Sequence, residues 1–415
     1  MRRIIAAGWI LAVACPVQAQ FTFITNNGAI TIAQFTGAGG NVIIPGSTNG
    51  YPVTTIGDDA FRDCSGLASV VIPGSVTAVG DGTFEGCIGL TNVTIGDSVA
   101  TIGDAAFDYC PRLRTVTIPD SVTSIGGDVF DGSGLTNVTI GNSVTSISAG
   151  AFRYCPLMSV TIPNSVTNIG IYAFYMCQSM TSVTIGSGVN SIDDSAFEYC
   201  GSLTNIDLEA ANPNYASAGG VLFDKTMTAL VQYPKGLTGG YVVPNSVTRI
   251  GGYAFQICPG LMSVTIPNSV TNIGSGAFLE CSQLTNAYFK GNAPSVNGGP
   301  GSLDDSLFHG DSGTAYYVPG TTGWGANYGG WPTAPWYQPE PQILGSAFGL
   351  GAQGQQFNFT VSWATNASII IEACTNLADP AWTPLATNVL VNGAVNFSDP
   401  QWVEYPSRYY RITTP

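Results

Sequence analysis

The chain has 415 residues; only 9% are Asp, Glu, Lys or Arg, and 26 acids face 12 bases for a net charge of −14. That balance excludes a basic nucleic-acid binder, 45% hydrophobic residues exclude a charge-rich disordered chain, and 52 Gly without a triplet period exclude a collagen. The Glu/Lys surface of helical bundles is missing, so the composition points to a large β-rich protein surfaced by Thr, Ser, Asn and Gly.

The first element is an export signal. Basic Met1-Arg2-Arg3 precedes a short apolar run from Ile4 to Ala14, and Val17-Gln18-Ala19 fits small-residue cleavage after Ala19. Two alternatives stand beside it. An uncleaved anchor needs about 20 apolar residues. A lipoprotein at Cys15 needs a Leu three residues earlier, where Ala12 stands, and Pro16 follows. No later stretch is long and apolar enough to span a bilayer, so the expectation is a secreted or cell-surface protein without a membrane span after cleavage.

Next comes a repeat. Thr115-Val116-Thr117-Ile118-Pro119 returns as Asn92-Val93-Thr94-Ile95-Gly96, Asn137-Val138-Thr139-Ile140-Gly141 and Ser159-Val160-Thr161-Ile162-Pro163, at spacings of 22 or 23 residues. Period-2 apolar positions ending in Pro or Gly predict a short strand and a turn. Each unit also carries an Ile-Gly, then Ala-Phe-x-x-Cys, as in Ala106-Phe107 and Cys110. That i, i+3 spacing predicts one helical or 3₁₀ turn. One unit cannot bury its own apolar edge, whereas stacked units share a core, so the fold class is a repeat solenoid.

These residues resemble leucine-rich repeats of the BspA-like, or Treponema pallidum, type over about residues 41–320. The resemblance implies a right-handed β/3₁₀ solenoid of about ten rungs of ~23 residues. Two departures are visible. The unit with Val129-Phe130 has Ser133 where a Cys is due, and the period stretches to 35 between Leu208 and Val243. In that stretch Val221-Leu222-Phe223 and Ala229-Leu230-Val231 flank a polar turn, which predicts a hairpin insertion over 209–240.

Strand alternation points Val116 and Ile118 inward and Thr115 and Thr117 outward. Asn92, Thr94, Thr115, Thr117, Asn137, Thr139, Thr161, Thr184 and Thr265 therefore form the candidate ligand-binding face. Leucine-rich repeats as a family usually bind proteins or glycans there; Thr also simply suits an exposed strand position, and both readings stay open. Cys64, Cys87, Cys110, Cys155, Cys177, Cys200, Cys258 and Cys281 share one repeat position, which favours an inward structural ladder of free thiols over disulfides. No convergent ligand pair for a metal appears.

After Lys290 the repeat decays toward a cap ending in Ala315-Tyr316-Tyr317-Val318-Pro319. Residues 321–341 hold Trp324, Trp331 and Trp336 among Gly and Pro. These are candidate sugar contacts; the favoured alternative is cap packing followed by a semi-rigid linker. Residues 342–415 alternate Phe357, Phe359, Val361 and Trp363 with polar residues, which predicts a small β-sandwich. The stretch from Glu372 to Trp382, with Arg408-Tyr409-Tyr410-Arg411, resembles fibronectin-type-III-like modules of secreted bacterial proteins. The domains expected are thus a 1–19 signal, a 20–320 solenoid with its cap, a 321–341 linker and a 342–415 sandwich.

Catalysis needs a nucleophile, base or metal with partners. His309 is the sole His, and Asp58-Asp59, Asp193-Asp194 and Asp304-Asp305 are adjacent pairs that serve turn starts better than acid–base chemistry. Asp304, Asp305 and Asp311 lack a complete Ca²⁺ ligand pattern. The expectation is a non-catalytic extracellular recognition or adhesion protein without cofactor, monomeric, with a protein or glycan partner and no nucleic acid. BspA-like relatives include adhesins for host matrix proteins. The alternative is a structural or carbohydrate-binding envelope component acting through the sandwich or the aromatic segment.

Overall fold

The computed structural model describes residues 20–193, 195–296, 307–337, 340–344, 351–353 (backbone) and 356–415. The expected signal 1–19, Asp194, Asp304 and Asp305 lie outside the described residues. The chain divides between Asn214 and Tyr215 into two compact units, each taken by itself here. The stack expected over 20–320 is thus shared between them, and the division falls inside the 209–240 insertion.

The first unit opens with a hairpin, Phe21–Asn26 against Ala29–Phe35. Asn27 and Gly28 turn it at φ 50° and 78°, the tight turn whose twist matches paired strands. Parallel rungs follow. Leu67–Val71, Asn92–Thr94, Thr115–Thr117, Asn137–Thr139, Ser159–Ile162, Ser182–Ile185 and Asn205–Leu208 form one column of strands. Equivalent residues lie opposite each other: Ser69 with Asn92, Thr115 with Asn137, Ser159 with Ser182, Ser182 with Asn205. A second column consists of two-residue strands such as Thr101–Ile102 and Ser124–Ile125.

The repeat's Phe explains why the rungs hold together. Phe35, Phe61, Phe84, Phe107, Phe130, Phe152, Phe174 and Phe197 stack ring on ring, with centroids 4.9–5.5 Å apart. From Phe61 on, each is at most 1% exposed. Burial of each contributes roughly 1.5–3 kcal/mol, and the offset stacking adds to it. Phe35, from the opening hairpin, covers the first repeat ring and so closes that end.

The Ala-Phe-x-x-Cys segment turns as its spacing predicts, but it does not wind on as a 3₁₀ helix. Arg62 N–H donates to the Asp59 carbonyl and Cys64 N–H to that of Phe61, both i→i−3. Alternating with these, Asp59, Phe61 and Asp63 donate to the next rung's Asp81, Thr83 and Glu85 carbonyls, each at 2.8 Å. The residues two before and two after the Phe are left-handed: Asp59 and Asp63, Ala105 and Tyr109, Tyr172 and Met176. That conformation halts 3₁₀ winding and costs energy in a bulky residue; the rung-to-rung bonds hold it.

In the second unit, Tyr215–Ala218, Val221–Asp224 and Ala229–Gln232 form an antiparallel set. The insertion therefore contains the expected hairpin plus one strand. Asp224 organises its turn, accepting N–H bonds from Thr228 and Ala229 at 2.7 Å. Gly239–Val242, Leu261–Ile266, Asn286–Phe289, Thr314–Tyr317 and Trp331–Pro335 then pair in parallel. The ring stack here runs Tyr233, Phe255, Phe278, Phe308, Trp331, with centroids 4.8, 4.8, 5.4 and 4.0 Å apart.

Within the segment 321–341, expected to pack against the cap and run on as a linker, residues 321–337 form the closing rung. Asn327–Tyr328 and Trp331–Pro335 form a hairpin, and Trp331 takes the place of the repeat Phe. Beyond it, Gln356–Ser362 pairs antiparallel with Gln342–Leu344, Gly351–Gln353 and Ala394–Asp399. Ser368–Cys374 pairs antiparallel with Thr383–Val389 and Tyr409–Thr413. Phe359, Val361, Ile369, Ile371 and Leu390 are the core of this small β domain.

Candidate binding face

In the first unit, Asn92, Thr94, Thr115, Thr117, Asn137, Thr139 and Thr161 are exposed and Thr184 is half-buried, while Val93, Val116, Val138 and Val160 between them are buried. Adjacent rungs thus present two outward rows of hydroxyls and amides, rungs ~4.8 Å apart. Asn205 and Asp207 continue the rows and bond to each other, Nδ2 donating to Oδ2 at 2.6 Å.

The second unit presents a different face. Half-buried Thr265 lies opposite Val242 on one side and Tyr288 on the other, and Tyr288 lies opposite Tyr316. Val242 is 65% exposed. The Tyr288 and Tyr316 rings stack at 5.2 Å, and the Trp336 ring sits on Tyr288 at 4.7 Å. The second polar row is replaced here by an apolar and aromatic patch, while Ser263, Asn286 and Thr314 continue the first.

The three candidate tryptophans separate accordingly. Trp331 is 2% exposed and its Nε1 donates to the Asp311 carbonyl. Trp324 packs among Phe289, Tyr317 and Tyr328 and donates to the Thr321 hydroxyl. Both pack in the cap, Trp331 buried and Trp324 half-buried. Only Trp336 reaches the strand face. Sequence reasoning placed Trp336 and Tyr288 in different segments; Ala334 is the residue in register with Tyr316 and Tyr288, and the Trp336 ring reaches Tyr288 from two positions further on.

On the turn side the ladder cysteines have a common partner. The thiols of Cys87, Cys110, Cys155, Cys177, Cys200 and Cys281 donate to the preceding rung's Phe carbonyl at 2.9–3.3 Å. All ladder cysteines are free; Cys64 is half-buried and the rest buried. Burial pushes the Cys87 thiol up to about 12. Ser133 fills the missing position with the same bond, its Oγ 2.6 Å from the Phe107 carbonyl. Cys258 departs from the pattern: the Tyr233 carbonyl takes a Gln232 amide N–H instead, and Cys258 Sγ lies 3.8 Å from the Gln256 carbonyl and interacts with the Cys281 thiol.

The acids mostly brace turns. Asp58 and Asp81 each accept the N–H of the Asp one rung on, at 3.0 and 2.8 Å, and Asp104 accepts that of Gly127. Asp193 accepts Ser195 N–H. Arg62 pairs with Asp59 and Glu85, and Arg153 with Asp131 and Asp128. Asp108 lies between these pairs; burial, then the charges of Asp131 and Glu85, raise it to about 6. His309 is exposed, its carbonyl accepting Glu280 N–H. Among the described residues no group of three or more His, Cys, Asp or Glu gathers to hold a metal.

Comparison with known proteins agrees with this geometry. The BspA type leucine rich repeat region matches in six copies over residues 41–158, 145–239 and 240–299. The chain belongs to the BspA-type leucine-rich repeat family. Among solved structures it is similar to a leucine rich cell surface protein from Faecalibacterium prausnitzii A2-165, with 28% identity, TM-score 0.49, covering 73% of this chain and 88% of that one. A T. pallidum leucine rich repeat protein matches at 26% identity and TM-score 0.38, covering 59% and 88%. A leucine-rich repeat protein from Eubacterium ventriosum ATCC 27560 matches at 22% and 0.46, covering 72% and 77%. No curated protein matches the chain. The BspA-type repeat accounts for the strand column, the Phe stack and the Cys position. No helix among the described residues is long and apolar enough to cross a membrane.

Proposed function

We propose that this BspA-type repeat protein is a non-catalytic recognition or adhesion protein, secreted or held at the cell surface. Its strand faces bind an extracellular protein or glycan. The observation that carries this reading is the exposure of the Asn92–Thr94, Thr115–Thr117 and Asn137–Thr139 rows beside buried valines. Hydroxyls and amides at ~4.8 Å intervals suit repeated hydrogen bonds to an extended ligand, and the Tyr288–Tyr316–Trp336 patch supplies the aromatic contact area that binding hot spots use. The chain acts as a monomer, needs no cofactor, and its acidity disfavours nucleic acid.

The test is an array of matrix proteins and glycans probed with the mature chain and with a chain ending at residue 341. Retention of binding by the shortened chain supports the reading. Complete transfer of binding to residues 342–415 contradicts it, and then the terminal module is the functional element.

A further inference from the structure

The turn edge of the first unit carries tyrosines that the core does not use. Tyr109, Tyr154 and Tyr199 each stand two residues after a repeat Phe, at φ 52°, 58° and 58°. Gly86 and Gly132 hold the same repeat position at φ 70° and 59°. Glycine adopts this left-handed backbone freely, whereas a Tyr there is strained. Burial does not offset the strain, since Tyr109 is 61% exposed and Tyr154 51%.

These rings form a group. Tyr172, also left-handed at φ 56°, joins it. The Tyr175 ring meets those of Tyr154, Tyr172 and Tyr199 edge to face, with centroids 5.6, 5.1 and 5.4 Å apart. The Tyr109 ring lies beside Gly132, where a Cβ would come 3.5 Å from Tyr109 Cδ2. Strained aromatic residues kept outside the core mark a surface for contact.

Charge selects the partner. Carboxylates sit beside these rings: Asp108 precedes Tyr109, and Glu198 precedes Tyr199. The arginines of this edge are engaged, Arg62 with Asp59 and Glu85, Arg153 with Asp131 and Asp128. Arg153 shows how a cation is seated here, its Cζ 5.8 Å over the Tyr154 ring while Nη2 pairs with Asp131. Asp108 makes no ion pair among the described residues. Burial, then the charges of Asp131 and Glu85, push its carboxyl up to about 6. An anionic partner would add to that repulsion, and a neutral glycan would leave it unrelieved. A Lys or Arg side chain answers both the carboxylate and the ring faces. We propose that the tyrosine-lined turn edge of the first unit is a docking surface for a Lys- and Arg-rich segment of a partner protein. Basic side chains lie on the rings of Tyr109 and Tyr154 and pair with Asp108. The surface is separate from the strand faces, and its fate does not depend on theirs.

The full mature chain is titrated calorimetrically with a peptide alternating Lys or Arg with Ser, and with counterparts carrying Gln or Glu at the basic positions. Only the basic peptide binds, and its Kd rises about tenfold or more between 0.05 and 0.5 M NaCl. Tyr109→Gly/Tyr154→Gly weakens it by about tenfold or more at unchanged net charge, while Tyr109→Phe/Tyr154→Phe binds like the parent. Gly already stands at this repeat position in neighbouring rungs, so the double glycine variant folds. Asp108→Asn, which removes a destabilising charge, weakens binding by about threefold or more. Tyr288→Ala/Trp336→Ala on the strand face leaves this binding intact. The proposal is overturned if the basic peptide does not bind at about 1 mM, or if the Gln or Glu counterpart binds as tightly. It is equally overturned if the strand-face variant abolishes binding, or if the folded double glycine variant or Asp108→Asn binds like the parent, since attraction to net charge alone would then suffice.

Discussion

At the scale of single residues, the repeat position held by Cys is chemically a short hydrogen-bond donor in an apolar column. Ser133 shows what the position requires, since its hydroxyl makes the bond that the thiols make elsewhere. Cys155→Ser should therefore cost less than about 1 kcal/mol. Cys155→Ala leaves the Phe130 carbonyl without its thiol and opens space, and should cost about 1–3 kcal/mol in chemical denaturation. Thiol titration of the unfolded, unreduced chain should find the ladder cysteines free; fewer than two free thiols would contradict the ladder. Asp108 makes a pH prediction. Its folded carboxyl titrates near 6 against an ordinary 3.8. The charged form is disfavoured in the fold, so Asp108 lowers stability fully above pH 6, and the penalty fades as pH falls to about 4. Asp108→Asn should stabilise the chain at pH 7.5 by about 1 kcal/mol after solvent screening, and have no effect near pH 4.

At the scale of elements, the strands and the Phe stack were legible because each recurs every 22 or 23 residues and each has one physical reason to recur. The chain ends were not, because they break the period. Asn27-Gly28, Asn49-Gly50, Gly219-Gly220 and Gly329-Gly330 all turn hairpins at positive φ. These dipeptides are plain turn signals, yet in a Gly- and Asn-rich chain they stand out only once their partner strands are known. Trp331 stands in a segment expected to pack against the cap, but nothing local says that it occupies the next Phe position. Trp331→Ala should cost about 3–5 kcal/mol, as for other buried Phe or Trp truncations, and expose Phe308 to solvent. Trp331→Phe should recover most of that. A loss below 1 kcal/mol for Trp331→Ala, measured by urea unfolding, would contradict its role as the closing ring. The left-handed turn residues were illegible for a different reason: Tyr, Met and Ile occupy them against their own preference, held by the adjacent rungs.

At the scale of the whole molecule, the low charge first pointed to a β-rich fold and now bears on the partner. The candidate rows hold no Lys or Arg, and the arginines that form ion pairs with turn-side acids in the first unit, Arg62 and Arg153, are already engaged there. Binding at the strand face should therefore be nearly insensitive to salt, changing less than about threefold between 0.05 and 0.5 M NaCl. The rows themselves were legible from alternation alone, while the aromatic patch was not, since it joins Tyr288, Tyr316 and Trp336 across the closing rungs. The most direct measurement takes whichever array ligand binds the mature chain and compares its Kd for the parent, for Thr94→Lys/Thr117→Lys/Thr139→Lys, and for Tyr288→Ala/Trp336→Ala. The strand-face account predicts that at least one of these folded variants loses binding by about tenfold or more. Parental affinity in both, with all three proteins equally stable, would contradict it.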